Sequence, residues 1–326
     1  MDSENRSENR FENKSENNFE IRSGSKHRNE FLLILTAFIW GVAFVAQSAG
    51  GDLVGPYTFN CIRLLIGGIV LLPAIRLMDR LNLTKRRPTS RAELKTLLLG
   101  GISCGLALAI ASNLQQMGIY MGAPAGKAGF LTACYMILVP ILGIFLHKKF
   151  GWNMWLGVLI AVCGLYLLCI DGEFRISFPD ILLLLCALSF AVHILIIDHF
   201  AVLVDGVRMA CIQFLVSGIV SAAPMFFVDM GHSVNGIFVW METLQNPYAW
   251  IPILYAGALS CGVAYTLQII GQQGVNPAVA SLLMSLESVF SVLAGWALLG
   301  EALSGREMFG CVLIFGAVIL AQLGTG

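Results

Sequence analysis

The chain has 326 residues, of which 57% are hydrophobic and only 12% charged, with a formal net charge of 0. Soluble globular domains carry about twice that share of charge, so the composition argues against a water-soluble enzyme or a nucleic-acid binder and names lipid as the solvent. Nine cysteines without a Cys-x-x-Cys pair, nearly all inside apolar stretches, suit small core residues better than a disulfide framework or a metal centre.

Residues 1–30 repeat a polar four-residue unit, Ser3-Glu4-Asn5-Arg6, Ser7-Glu8-Asn9-Arg10, Phe11-Glu12-Asn13-Lys14. A run of this kind cannot bury a core and is expected to be a disordered tail. It has no apolar segment ahead of residue 31 that would read as a secretory signal.

Crossing a hydrocarbon layer of roughly 30 Å takes about 20 apolar residues per helix, and ten stretches answer that description. The first five are 31–50, 56–78, 95–118, 122–146 and 152–170; the second five are 181–200, 207–228, 249–271, 277–299 and 306–324. The longest connection, 229–248, holds Trp240 and suits the membrane interface, where tryptophan is enriched. Of 20 Lys and Arg, 16 fall on one side if the helices alternate, in the tail, between Arg76 and Lys95, at Lys148 and Lys149, and at Arg208. The positive-inside rule then puts both termini in the cytoplasm of a multi-pass cell-membrane protein.

The second five stretches repeat the first. Cys61, Leu65, Gly68 and Ile69 fall on Cys211, Leu215, Gly218 and Ile219, and Gly100, Ser103, Cys104 and Gly105 on Gly257, Ser260, Cys261 and Gly262. Five is an odd number of crossings, so two homologous halves must be inverted relative to each other. The expected fold is an all-α integral membrane protein of ten transmembrane helices in two inverted five-helix repeats, 31–173 and 174–326.

Ionisable groups within such spans are expensive, about 2.5–3.5 kcal/mol each on insertion scales, and mark candidate sites. Glu287 stands near the middle of the ninth span with no basic residue one turn away, and is the leading candidate for substrate binding or coupling. Lys127, near the outer end of the fourth span, either meets an anionic cargo group or snorkels to the headgroups. His193 is a mid-span histidine suited to proton relay or to a satisfied core position. Tyr265, Gln268 and Gln272 share one face of the eighth span, opposite Asn113 and Gln116 of the third in the repeat scheme, and Trp40 and Tyr265 are candidate aromatic lining. Arg63 and Gln213 occupy matching repeat positions and read as structural polar groups that tether helices through carbonyls. The fifth and tenth spans are almost wholly apolar and read as scaffold or lipid contact.

With ten spans in two halves, the Phe38-Ile39-Trp40-Gly41 and Asn60-Cys61-Ile62-Arg63 elements, and Ser285-Leu286-Glu287-Ser288-Val289-Phe290 followed by Leu298-Leu299-Gly300-Glu301, the chain resembles the drug/metabolite transporter superfamily, in particular its EamA-type group. The resemblance covers residues 31–324. It implies a carrier of small metabolites working by alternating access, with a central cavity between the repeats. The chain departs from a symmetric pattern where the first copy ends its fourth span in His147-Lys148-Lys149.

No Gly-x-Ser-x-Gly, His-Glu-x-x-His or phosphate-binding Gly-rich loop occurs, so no enzyme and no cofactor is expected. The expectation is a secondary active exporter of a small polar or amphipathic metabolite such as an amino acid. Its partners are the small-molecule substrate, the lipid bilayer and, where transport is coupled, protons, with no nucleic acid; the oligomeric state stays open. The competing expectation is a non-transporting multi-pass receptor or assembly factor, in which Glu287 and Lys127 only hold helices together.

Overall fold

The computed structural model describes residues 2–323 except 83, 85, 124, 171–175, 295 and 298–303. The element 298–301 and Arg175 therefore lie outside the described residues. In chain order the α-helices are α1 Asp2–Val54, α2 Pro56–Arg80, α3 Arg91–Tyr120, α4 Ala125–Ala133, α5 Tyr135–Phe145, α6 Trp152–Cys169, α7 Phe178–Phe200 and α8 Gly206–Pro224. There follow α9 Val234–Leu244, α10 Pro247–Leu254, α11 Thr266–Gly271, α12 Pro277–Met284, α13 Glu287–Ala294 and α14 Gly305–Leu323.

Among the described residues, eight helical stretches are long and apolar enough to cross a bilayer: His27–Val54, Pro56–Arg80, Arg91–Tyr120, Lys127–Phe145, Phe178–Phe200, Gly206–Asp229, Pro247–Gly271 and Pro277–Ala294. They correspond to eight of the ten spans expected. The other two positions are held by α6, whose apolar part Trp152–Leu168 is shorter, and by α14.

Helix α1 runs from Asp2 through the first span to Val54. Extending a helix from a formed span needs no new nucleus, so polar sequence can continue it without an apolar face.

Local chemistry sets the ends. Ser90 caps α3 and Glu93 reaches back to the Ser90 and Thr89 N–H groups, a capping box. The turn into α2 needs Gly55, whose φ is 92° and where a Cβ would lie 2.7 Å from the Asp229 carboxylate. Pro224 ends α8 ahead of a π-helical turn, Met225–Asp229, and Pro252 in α10 precedes a longer π-helical stretch, Tyr255–Tyr265. Proline removes a backbone donor, and wider hydrogen bonding re-satisfies the carbonyls it strands.

Two predicted spans are interrupted. The fourth breaks at Cys134, between α4 and α5, and the ninth at Ser285 and Leu286, between α12 and α13. Glu287 is thus the first residue of α13, one residue past the break.

Helix association in lipid gains little from the hydrophobic effect and depends on close packing. The α6–α14 contact shows this: a Cβ on Gly164 would lie 2.8 Å from the Gly310 carbonyl, and one on Gly310 2.7 Å from the Gly164 carbonyl. Along α2 and α8 the contacts run antiparallel and come in matched pairs. The Cys61 thiol donates to the Gly218 carbonyl at 3.3 Å, and the Cys211 thiol to the Gly68 carbonyl at 3.4 Å. Outward-facing Ile69 and Ile219, equivalent in the sequence repeat, are 57% and 67% exposed, as suits a lipid-facing surface.

Two large apolar cores fill the interior. One joins α1 to α4–α7 and α12–α14, the other joins α2, α3, α7, α8 and the π-helical stretch, and Trp40 and Phe190 pack against both.

Candidate functional site

A small cavity of about 30 Å³ opens where those two cores meet. Helix α1 presents Trp40, Phe44 and Gln47, spaced by four and three residues and so on one face. Arg63 comes from α2, Gln115 from α3, Thr132 from α4, Tyr135 from α5, and Phe190 and Ile194 from α7. The π-helical stretch adds Ser260 and Tyr265, α11 adds Gln268, α12 ends on Met284, and α13 begins with Glu287. Glu287 follows the Ser285–Leu286 turn, where the backbone at Ser285 stays in the helical region, and so continues the span onto the cavity wall.

Glu287 is 5% exposed, and its Oε1 accepts a hydrogen bond from the Tyr135 hydroxyl at 3.2 Å. Trp40 and Tyr265 lie ring against ring with centroids 4.6 Å apart, and the Trp40 indole N–H donates to the Ser260 carbonyl at 3.4 Å. The Tyr265 ring is held from behind by Phe214 at 5.4 Å and His193 at 6.0 Å, both edge-on.

Two polar groups on the wall are left unspent. The side-chain oxygens of Gln47 and Gln268 are buried without a hydrogen-bond partner among the described residues, a cost of about 1–3 kcal/mol each. Exchange of O and N within an amide would leave donors unspent in place of acceptors. Either way both amides keep unspent hydrogen-bonding capacity beside the cavity.

Of the residues singled out from sequence, Glu287, Trp40, Tyr265, Gln268 and Arg63 line this space. Lys127 does not. Its Nζ bonds the Asp180 carboxylate at 2.6 Å, and Asp180 also accepts from the Ser177 N–H and hydroxyl at the start of α7. Its ammonium is thus engaged by a carboxylate of α7. His193, fully buried, bonds Gln213 at 3.0 Å and stands one layer behind the wall. Asn113 accepts from the Asn60 amide at 2.8 Å and donates to the Ser221 hydroxyl at 2.9 Å, joining α2, α3 and α8.

Gln116 donates to the Gln47 backbone carbonyl at 3.0 Å and so holds α1 in place, while its neighbour Gln115 faces the cavity and donates to the Thr132 hydroxyl at 3.3 Å. One residue is about 100° of helix rotation, enough to exchange their roles. Gln47, Gln115, Thr132 and Tyr135 were not singled out from sequence. The signal for Gln47 was present in its spacing of seven from Trp40.

Comparison with known proteins gives one consistent result. The model of the EamA-like transporter family matches residues 28–170 and again 177–323. An uncharacterized transporter of Archaeoglobus fulgidus is 29% identical over 292 residues, covering 89% of this chain and 84% of that protein. The uncharacterized transporter YwfM of Bacillus subtilis is 26% identical, with 86% of this chain and 89% of that one covered. A solved crystal structure superposes with a TM-score of 0.72 at 19% identity, over 91% of this chain and 96% of that one, a likeness of fold.

Proposed function

The chain belongs to the EamA-like transporter family, and from that premise we propose that it is a secondary active transporter which moves a small polar or amphipathic metabolite, such as an amino acid, outward by alternating access. In this reading ten crossings form two inverted five-helix halves, both termini are cytoplasmic, and the protein sits in the cell membrane. The matched contacts between α2 and α8 support the inversion. Residues 61 and 218 exchange the same bond as residues 211 and 68, as a twofold relation between antiparallel copies requires.

The observation that carries the reading is the cavity itself. Both halves contribute to it, and it gathers the Glu287 carboxyl with the unspent Gln47 and Gln268 amides and the Trp40–Tyr265 pair. Buried polar groups left without partners are exceptions in a packed interior and call for an explanation, which a polar guest supplies here. Glu287 couples transport to protons by gaining and losing one during the cycle, with Tyr135, Tyr265 and Arg63 as the other titratable or charged groups on the cavity wall.

The test is uptake into proteoliposomes from a metabolite panel, with and without an imposed pH gradient. Wild-type protein concentrates its cargo when the gradient is applied. Glu287→Gln loses gradient-driven accumulation and keeps exchange of labelled for unlabelled cargo. Unchanged accumulation in that variant would falsify the coupling role.

A further inference from the structure

Arg63 is 3% exposed, stands on the wall of the same cavity as Glu287, and takes part in none of the ion pairs among the described residues. A guanidinium stays protonated at any physiological pH, so this is a permanent positive charge held in the membrane interior with no carboxylate at salt-bridge distance among the described residues. If it served only to tether helices, its donors would be spent on backbone carbonyls. They are not: Nε donates to the Asn60 side-chain oxygen at 2.9 Å, and Nη1 points to the Cys261 sulfur at 3.9 Å, a weak acceptor. The Phe59 ring lies 5.7 Å from the guanidinium carbon. Nη2 makes no hydrogen bond to the protein among the described residues.

Its support is rigid. The Asn60 amide nitrogen donates to Ser112 at 3.1 Å and to Asn113 at 2.8 Å, which fixes its oxygen toward Arg63. Gln213, the repeat counterpart, is neutral and turned to His193. One half alone therefore sets a cation on the cavity wall, braced from behind and unsatisfied in front.

We infer that Arg63 is the anion receptor of the transport site, so that the cargo bears a carboxylate or phosphate group which docks on the free edge of the guanidinium. The opposite, donor-bearing end of the cargo then faces Glu287 and the amide of Gln268. The guanidinium fork matches an oxyanion geometrically, and the cargo's charge supplies the direct ion-pair partner that Arg63 lacks among the described residues. The inference rests on the transporter reading and names the cargo class that this site selects.

The experiment measures uptake by the full chain in proteoliposomes from matched pairs: amino acids and short organic acids each against the primary amide, and ethanolamine phosphate against ethanolamine. Wild-type protein takes up the anionic member at about tenfold or more lower concentration than its neutral or cationic counterpart, the effect of one charge-assisted hydrogen bond. The first pairs identify a carboxylate cargo, the last a phosphate cargo. Arg63→Gln brings both members to the weaker level, and Arg63→Lys restores part of the preference. Asn60→Asp keeps the arginine but gives it a protein counter-ion, and lowers the same preference without removing Arg63. Equal uptake of both members by wild type, or a preference left intact in Arg63→Gln and Asn60→Asp, overturns the role of Arg63 and leaves the carrier reading standing. No uptake of any compound by wild type overturns the carrier reading and this inference with it.

Discussion

Asp180 shows how a charge in a span acquires its meaning from a neighbour distant in sequence. Its side chain is 1% exposed, it ties the Ser177 end of α7, and it draws in the Lys127 ammonium across 2.6 Å. Removing the lysine charge leaves a buried carboxylate with fewer donors, which costs about 1–3 kcal/mol. Lys127→Met is therefore expected to lower the melting temperature in detergent, with cargo affinity unchanged, because Lys127 is off the cavity wall. A loss of affinity at unchanged stability would contradict this. From sequence the position of Lys127 near one end of its span was legible, but the partner was not, since Asp180 lies 53 residues further along the chain. Glu287 was legible for the opposite reason: a lone carboxyl in an apolar run is conspicuous without knowledge of its surroundings. Arg63 was visible too, yet its repeat partner Gln213 suggested a shared structural task, and only the packing separates the two.

At the scale of elements, apolar length located the spans but not their internal breaks. The fourth and ninth stretches read as continuous because neither break falls on a proline; the nearest, Pro140, lies inside α5. Hydropathy averages over just such interruptions. The opposite holds for α6 and α14, where the sequence marked a bland apolar scaffold and the structure packs the two helices together through Gly164 and Gly310. Both are at backbone contact, so a larger side chain has nowhere to go. Gly310→Leu is expected to separate the pair and lower stability by about 1–3 kcal/mol or more, as overpacking does, read as a fall in melting temperature. Gly316→Leu, a position open to space on the same helix, serves as the control and should leave stability nearly unchanged. Equal effects at both positions would mean that the change to leucine, not the crossing, sets the cost.

Across the whole molecule, the α2–α8 seam is fastened at both ends. Asp79 accepts two hydrogen bonds from Arg208 at 2.7 and 2.6 Å, and Asp229 accepts from the Thr58 N–H at 2.6 Å and the Thr58 hydroxyl at 2.7 Å. These fastenings are repeat equivalents: residues 79 and 208 stand to each other as 229 and 58 do. The chemistry has diverged, an ion pair at one end and a hydroxyl braced by the Trp240 indole at the other, while the geometry is kept. A gate must open at one end while it closes at the other, whereas this seam is closed along its length in a single conformation. In the alternating-access cycle proposed above, a seam fastened at both ends suits the fixed axis. Asp79→Asn and Thr58→Val should each lower the melting temperature, the first more because it removes a charge-assisted pair, and each should leave the KM for transport within about twofold, well under the tenfold that 1.4 kcal/mol would produce. A large change in KM, or a shift toward uptake from one side only, would make the seam a moving gate, because only a ligand-coupled element shifts apparent affinity when its closed state is weakened.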